Sequence, residues 1–314
     1  MSKYLITGVT GFVGRYFVEY LQKHEPDALI YGIDRASACD LDINHTALDL
    51  CDAQALNLLL KELQPDYVLH LASISSVGQS WQNPTDCFKN NTDIMLNLLE
   101  AVAKNSPHSR ILSIGSSEEY GNYPSEKMPL TEDMPLNPQN PYAVAKVSQE
   151  LLCKLYAQSM NIDVVMTRSF NHIGPRQSDK FVVPSFIKQL VEIKNGAPNK
   201  MLVGNIKVKR DFLDVRDVVD AYYKLLHTGK KGEVYNVCSG KAVSLQEIIK
   251  TTSDILDITP NIEVDKTRLR PSDTMLVLGC NDKLSKELGW QNKYQIKDTI
   301  FNMLQLVNGV QNVF

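Results

Sequence analysis

The chain has 314 residues, enough for one large domain or two ordinary ones, and 43% hydrophobic with 22% charged residues excludes a disordered or fibrous protein. With 33 basic against 36 acidic side chains its net charge is −3, so it offers no basic surface for nucleic acid or an anionic membrane. An anionic ligand must then be met by a few placed cations. No apolar run approaches the roughly 18 residues a bilayer demands. Thr7 and Gly8 interrupt the opening one, which reads against a signal peptide. The six cysteines (39, 51, 87, 153, 238 and 280) contain no Cys-x-x-Cys pair and read as reduced thiols of a cytoplasmic protein.

In chain order, short apolar runs alternate with helical patterns. Strands are predicted over residues 4–7, 29–33, 67–71, 110–114 and 163–167, with helices over 13–24, 53–63, 87–104 and 142–160 between them. Such alternation builds right-handed βαβ units, hence an α/β fold: a Rossmann-type doubly wound parallel sheet with helices on both faces. After about residue 170 the rhythm shortens at Gly174-Pro175, Gly196-Ala197-Pro198, Pro260 and Pro271, without repeats or linker composition. A helix over 215–226 and a strand over 234–237 suggest a return to the main sheet. The expected division is therefore 1–170 with 212–238 as a dinucleotide-binding domain, and 171–211 with 239–314 as a smaller C-terminal α/β substrate-binding part.

The first predicted strand runs straight into Thr7-Gly8-Val9-Thr10-Gly11-Phe12-Val13-Gly14 and a helix. Gly8 allows a tight turn, Gly11 lets backbone approach a pyrophosphate, and Gly14 permits close helix–strand packing. The helix start adds unpaired N–H groups and a favourable dipole, with Phe12 and Val13 as its first residues. A turn that simply needs three glycines is the alternative. About 20 residues further on, Asp34 ends the second strand, where a carboxylate accepts from the adenosine ribose hydroxyls. Arg35 beside it suits a 2′-phosphate, so NAD(H) is favoured and NADP(H) remains possible. Asp49 and Leu50 would sit near the adenine, although a strand-to-helix cap explains Asp49 equally well.

Tyr142 and Lys146 stand at i and i+4 on one helical face. A nearby ammonium lowers a phenol's pKa, which would let Tyr142 exchange a proton with an alcohol or carbonyl, and Lys146 can also bind the nicotinamide ribose. Upstream, the strand end Ile114-Gly115-Ser116-Ser117-Glu118-Glu119-Tyr120-Gly121 lies where ligands of open α/β sheets bind. Ser116 is the expected hydrogen-bond partner of the reacting oxygen, and Glu118 or Ser117 a second proton-transfer group. Glu119 reads as a solvated turn residue. His70 reads as a buried, hydrogen-bonded core residue and His172 as packed in a turn. No cluster has metal-ligand spacing, so no metal is expected.

Taken together, Gly-x-x-Gly-x-x-Gly, His70-Leu71-Ala72-Ser73, Asn91, Ser116-x-x-x-Tyr120-Gly121 and Tyr142-x-x-x-Lys146 resemble the extended short-chain dehydrogenase/reductase superfamily over almost the whole chain. The resemblance implies catalysis by Ser116, Tyr142 and Lys146 on a nucleotide-diphosphate sugar. It also implies Leu71, Ala72 and Ser73 beside the cofactor, with Asn91 supporting it. Arg168-Ser-Phe-Asn171-His172-Ile-Gly174-Pro175-Arg176-Gln177 and Phe181-Val182-Val183-Pro184 are similar to the GDP-mannose branch.

By that resemblance Asn171 and Val183 touch the sugar nucleotide, Lys188 approaches its phosphate or base, and Arg210 and Arg270 clamp its diphosphate. For Arg210, a pair with Asp214 is the plain alternative. The implied reaction is reduction of the 4-keto group of a GDP-linked 6-deoxyhexose. Ser116-Ser117-Glu118 also keeps the hydroxyl–x–carboxylate arrangement of sugar-nucleotide 4,6-dehydratases. Gly11-Phe12-Val13-Gly14 and Asn171-His172-Ile173-Gly174-Pro175 depart from the Gly-Gln-Asp-Gly and Asn-His-Glu-Ser-Pro of GDP-mannose dehydratases. Dehydration or epimerisation is the alternative, and a non-catalytic cofactor-binding scaffold a further one. A homodimer through a four-helix interface of the 87–104 and 142–160 helices is also implied.

Overall fold

The opening apolar run forms strand β1 (Lys3–Thr7), and helix α1 (Phe12–His24) starts directly beyond the glycine loop. Then follow β2 (Leu29–Asp34), β3 (Asn44–Ala47), α2 (Ala53–Leu63), β4 (Tyr67–His70), α3 (Val77–Gln82), α4 (Pro84–Asn105), β5 (Arg110–Ser116), α5 (Pro141–Ser159) and β6 (Asp163–Ser169). The remainder is β7 (Asn171–Ile173), α6 (Val182–Lys194), β8 (Met201–Val203), β9 (Lys209–Asp214), α7 (Val215–Thr228), β10 (Val234–Val237), β11 (Ala242–Ser244), α8 (Leu245–Leu256), β12 (Ile262–Val264), β13 (Leu276–Val277), α9 (Asp282–Leu288) and α10 (Ile296–Val307). This computed structural model describes residues 1–269 and 274–307.

Seven parallel strands make the main sheet, in the order β10-β6-β5-β4-β1-β2-β3. Both faces are covered, which is why its inner strands read as unbroken apolar runs. Phe17 and Leu21 of α1, Tyr222 and Leu225 of α7 and Trp290 pack on one face. Leu56 and Leu60 of α2, Leu98 and Leu99 of α4 and Cys153 of α5 pack on the other. The expected return is present: β10 pairs with β6, Val234 opposite Met166.

β3 has no counterpart among the predicted strands. Its Asn44-His-Thr-Ala47 has no apolar period, and it is a strand only because β2 offers an open edge, pairing Tyr31 with Asn44. Helix α4 begins three residues ahead of the predicted 87, because Pro84 occupies its first turn, where no N–H is needed.

Beyond the main sheet, β7, β9, β11 and β13 form a small sheet and β8 pairs with β12. Phe186 and Leu190 of α6, Ile248 of α8 and Ile300 and Met303 of α10 share a separate apolar cluster. The strand order reverses between β1 and β4, and a cleft opens past their carboxyl ends.

Candidate active site

That cleft is a cavity of about 640 Å³. Gly8, Gly11, Phe12, Val13 and Gly14 form one wall, with Leu71, Ala72 and Ser73 beyond them. Gly8 has φ +70°, and a Cβ there would lie 2.9 Å from the Ala72 nitrogen, so backbone packs on backbone. At Gly14 a Cβ would collide with the Val9 carbonyl. Gly11 is the N-cap of α1 and no side chain caps it, which leaves the first-turn N–H groups to a phosphate. These residues fit a dinucleotide.

Asp34, Arg35, Asp49 and Leu50 line the same cavity. The Asp34 carboxylate accepts from the Thr10 hydroxyl at 2.6 Å and the Thr10 N–H at 3.2 Å. Burial opposes its charge, but the Thr10 hydroxyl and neighbouring N–H groups outweigh that and hold Asp34 below its ordinary pKa. Asp49 forms part of the wall and accepts from the Cys51 N–H at 2.9 Å; the expected cap falls to Asp52 instead, which accepts from the Ala55 N–H at 3.0 Å. Asn91 does not reach the cavity wall. It is buried under the segment after Ser73, accepting from the Ile74 N–H at 2.8 Å and donating to its carbonyl at 3.1 Å.

The end of β5 and the first turns of α5 carry Ser116, Tyr142 and Lys146. Asn140 caps α5 by accepting from the Ala143 N–H at 2.8 Å, and Pro141 opens the helix. This geometry brings Ser116, Tyr142 and Lys146 onto the cavity wall together. Ser116 Oγ accepts from the Glu118 N–H at 3.2 Å, and its hydroxyl also lies within hydrogen-bond reach of the Tyr142 phenol.

Lys146 Nζ donates to the Ile114 carbonyl at 2.8 Å and to Gln149 Oε1 at 3.0 Å. Burial pulls the amine down to about 8, against the field of Glu119. The expectation of a phenol acidified by that lysine is corrected by the structure. Lys146 Nζ stands 5.9 Å from the Tyr142 ring centroid, and burial raises the phenol well above its ordinary value. The Ser116 hydroxyl works the other way, while Glu119, Glu118 and Tyr222 add to the rise. Tyr142 is therefore a protonated donor at neutral pH.

Glu119 is a second correction. Far from being solvated, it is 0% exposed, and its Oε1 accepts from the Ser116 N–H at 2.6 Å. Burial, with Glu150 adding to it, raises its pKa. Glu118 is not part of the cavity wall; the Asn140 amide donates to its Oε2 at 2.8 Å. His70 is a buried core residue paired with the Thr7 hydroxyl at 2.9 Å. His172 packs as expected, its Nε2 3.1 Å from the Tyr222 hydroxyl, yet it also lines the cavity. Burial brings it down to about 4, so it is neutral.

Of the expected sugar-nucleotide residues, Asn171 lines the cavity. Val183 does not: α6 turns it into the apolar cluster, where it is buried. Lys188 is exposed and paired with Asp179 at 2.7 Å, outside the wall. Arg210 donates to the carbonyls of Lys209 at 2.9 Å and Thr274 at 2.7 Å, and is not on the wall either; Asp214 pairs with Arg216 instead. Arg270 lies outside the described residues. Thr10 and Tyr222 are wall residues missing from the expectations. Thr10 was legible between the glycines, but Tyr222 arrives from α7 with no local motif. Among the described residues no group of three His, Cys, Asp or Glu side chains is placed to hold a metal, and no helix is long and apolar enough to cross a membrane.

The family model for GDP-mannose 4,6 dehydratase matches residues 5–303. The GDP-6-deoxy-D-mannose reductase of Pseudomonas aeruginosa is 36% identical over 301 residues, 95% of this chain and 95% of that protein. GDP-mannose 4,6 dehydratase 1 of Arabidopsis thaliana is 28% identical over 312 residues, 92% of this chain and 85% of the relative. Among solved structures, RMD from Pseudomonas aeruginosa complexed with NADPH has a TM-score of 0.87 and 34% identity, over 97% of this chain and 98% of that one. The match runs from β1 into α10 and takes in the glycine loop, the serine strand end and the tyrosine–lysine helix alike. On that evidence the chain belongs to the GDP-mannose 4,6 dehydratase family of nicotinamide-dependent nucleotide-sugar enzymes.

Proposed function

We propose that the protein reduces the 4-keto group of GDP-4-keto-6-deoxymannose to give GDP-rhamnose. The observation that carries this reading is Ser116 and Tyr142 on one wall of the cavity whose other wall is the glycine loop, in a chain so similar to the Pseudomonas aeruginosa reductase. When bound, the reduced nicotinamide supplies the hydride for the keto carbon. Tyr142 donates its proton to the alkoxide oxygen that develops there, and the Ser116 hydroxyl holds that oxygen. Lys146 adds positive charge behind both and takes the ribose. Charge stabilisation of this kind, prearranged where the oxyanion forms, is the largest contribution to such a barrier. Asp34 favours NADH, and Arg35 beside it gives the 2′-phosphate of NADPH a partner. Residues 1–170 and 212–238 would hold the cofactor, and 171–211 with 239–314 the sugar nucleotide.

The test is oxidation of NADH, and separately NADPH, by the purified protein given fresh GDP-4-keto-6-deoxymannose. Consumption of either, with a product two mass units heavier than the ketosugar, is expected. Absence of consumption alongside loss of water from GDP-mannose would overturn the reading in favour of dehydration. Glu118 separates the two chemistries as well. A dehydratase needs a carboxylate facing the sugar, whereas Glu118 is tied to Asn140 away from the cavity wall. Glu118→Gln is accordingly expected to keep reductase turnover within about threefold of wild type, against the 10²-fold or greater loss expected of a proton-transfer group.

We further propose a cytoplasmic homodimer, the six free cysteines suiting a reducing compartment. Val144, Leu151 and Leu155 are 41%, 57% and 54% exposed along one face of α5, and Phe88 and Leu96 are exposed on α4 beside it. A four-helix interface would cover this stripe. Light scattering is expected to give twice the chain mass for the wild type and a monomer for Leu151→Glu/Leu155→Glu. A monomeric wild type would overturn the interface.

A further inference from the structure

Helix α5 carries more of the site than its tyrosine and lysine. Gln149, one turn beyond Lys146, is 2% exposed, and Lys146 is 3% exposed. Its Oε1 accepts from Lys146 Nζ at 3.0 Å. Its Nε2 donates to Ser113 Oγ at 2.8 Å and to the Ile114 carbonyl at 3.3 Å. The orientation of this amide is dictated by its neighbours. An ammonium only donates and a carbonyl only accepts, so exchanging the amide oxygen and nitrogen would break both contacts.

We infer that Gln149 is a positioning residue: anchored on β5 by its amide nitrogen, it aims the Lys146 ammonium at the cavity and supports its charge without cancelling it. An ammonium has three protons. The Ile114 carbonyl and Gln149 take two, which leaves the third for the cavity that Lys146 lines. The acceptor is a neutral dipole, so the positive charge stays available to a developing oxyanion, where a carboxylate at the same place would neutralise it.

The groups around the amine support this division of labour. His70 faces it from β4, Cys87 from α4, Glu119 from the turn after β5, and Cys153 and Tyr142 from α5 itself. Glu119 is the acid among them, and its Oε1 is engaged by the Ser116 N–H. Burial already draws the amine down to about 8, so loss of a good acceptor has a measurable consequence near neutral pH.

The inference builds on the reading of Lys146 given above, but its test reads the amine itself. In protein labelled at lysine Cε with carbon-13, the Lys146 resonance, assigned by its loss in Lys146→Met, is titrated without substrate. Gln149→Met, close in volume and without an acceptor, is expected to lower the midpoint by about one pH unit, because the charged form loses a hydrogen bond. Gln149→Glu, nearly isosteric, is expected to raise it above wild type, and it carries the test if the methionine variant does not fold. Midpoints unchanged in the folded variants would overturn the proposal. Shifted midpoints in a protein that reduces no ketosugar would sustain it and refute the reductase reading instead. In the active enzyme the alkaline limb of kcat moves down with the Gln149→Met midpoint, which loss of packing alone would not produce.

Discussion

Replacing Tyr142 by phenylalanine lowers kcat for ketosugar reduction by roughly 10²- to 10⁴-fold while cofactor affinity stays within about threefold. Only the phenolic hydroxyl is removed, and the ring keeps its buried place. Hydride arriving at a carbonyl carbon leaves a strongly basic oxygen that must be protonated. Tyr142 is the wall residue placed for that task, and burial holds its proton in place. Turnover of the wild type is expected to fall as pH rises past about 8, the value to which burial draws Lys146. Above it the amine loses the charge that stabilises the oxyanion, although Tyr142 is still protonated. Steady-state kinetics with NADH and NADPH, with fluorescence titration of the cofactor, checks both; near-normal turnover by Tyr142→Phe would sink the assignment.

Arg168→Met is expected to destabilise the protein by about 3 kcal/mol or more, as removal of one member of a buried ion pair does. Arg168 grips Glu150 with two parallel bonds of 2.9 Å, both side chains being 3% exposed, and its guanidinium lies 4.8 Å from the Tyr120 ring centroid. Without it, Glu150 keeps Lys154 at 2.7 Å but is left facing the buried Glu119 carboxyl. Replacing Glu150 by methionine as well removes the stranded charge, so the double variant is expected to recover most of the loss. Urea unfolding of Arg168→Met, Glu150→Met and the double variant measures this. Additive losses in the double variant would show that the two residues act separately.

The glycine loop, Asp34, Ser116 and the Tyr142–Lys146 pair were legible because each is a local pattern with one workable geometry. A strand running into closely spaced glycines has few folded forms, and residues four apart on a helix share a face whatever surrounds them. Thr10 belonged to the same pattern and was passed over, its hydroxyl holding Asp34 across 24 positions of sequence. Lys188 and Arg210 lie off the cavity wall for the opposite reason. A cation in a suggestive string carries no information about which acceptor lies nearest once the chain has folded. Asp179 and the carbonyls of Lys209 and Thr274 turned out to be those acceptors.

The sequence by itself determined the doubly wound half of the molecule, the return of the chain through β10, and that Ser116, Tyr142 and Lys146 share one cavity wall with the glycine loop. Tertiary structure alone decided that Asn44–Ala47 is a strand, that Glu119 is sealed behind Ser116, and that Tyr142 keeps its proton in spite of its lysine. The physical reason is common to all three. Edge pairing, burial and the balance of fields at a titrating group are sums over side chains from distant parts of the chain, and no window of neighbouring residues contains them.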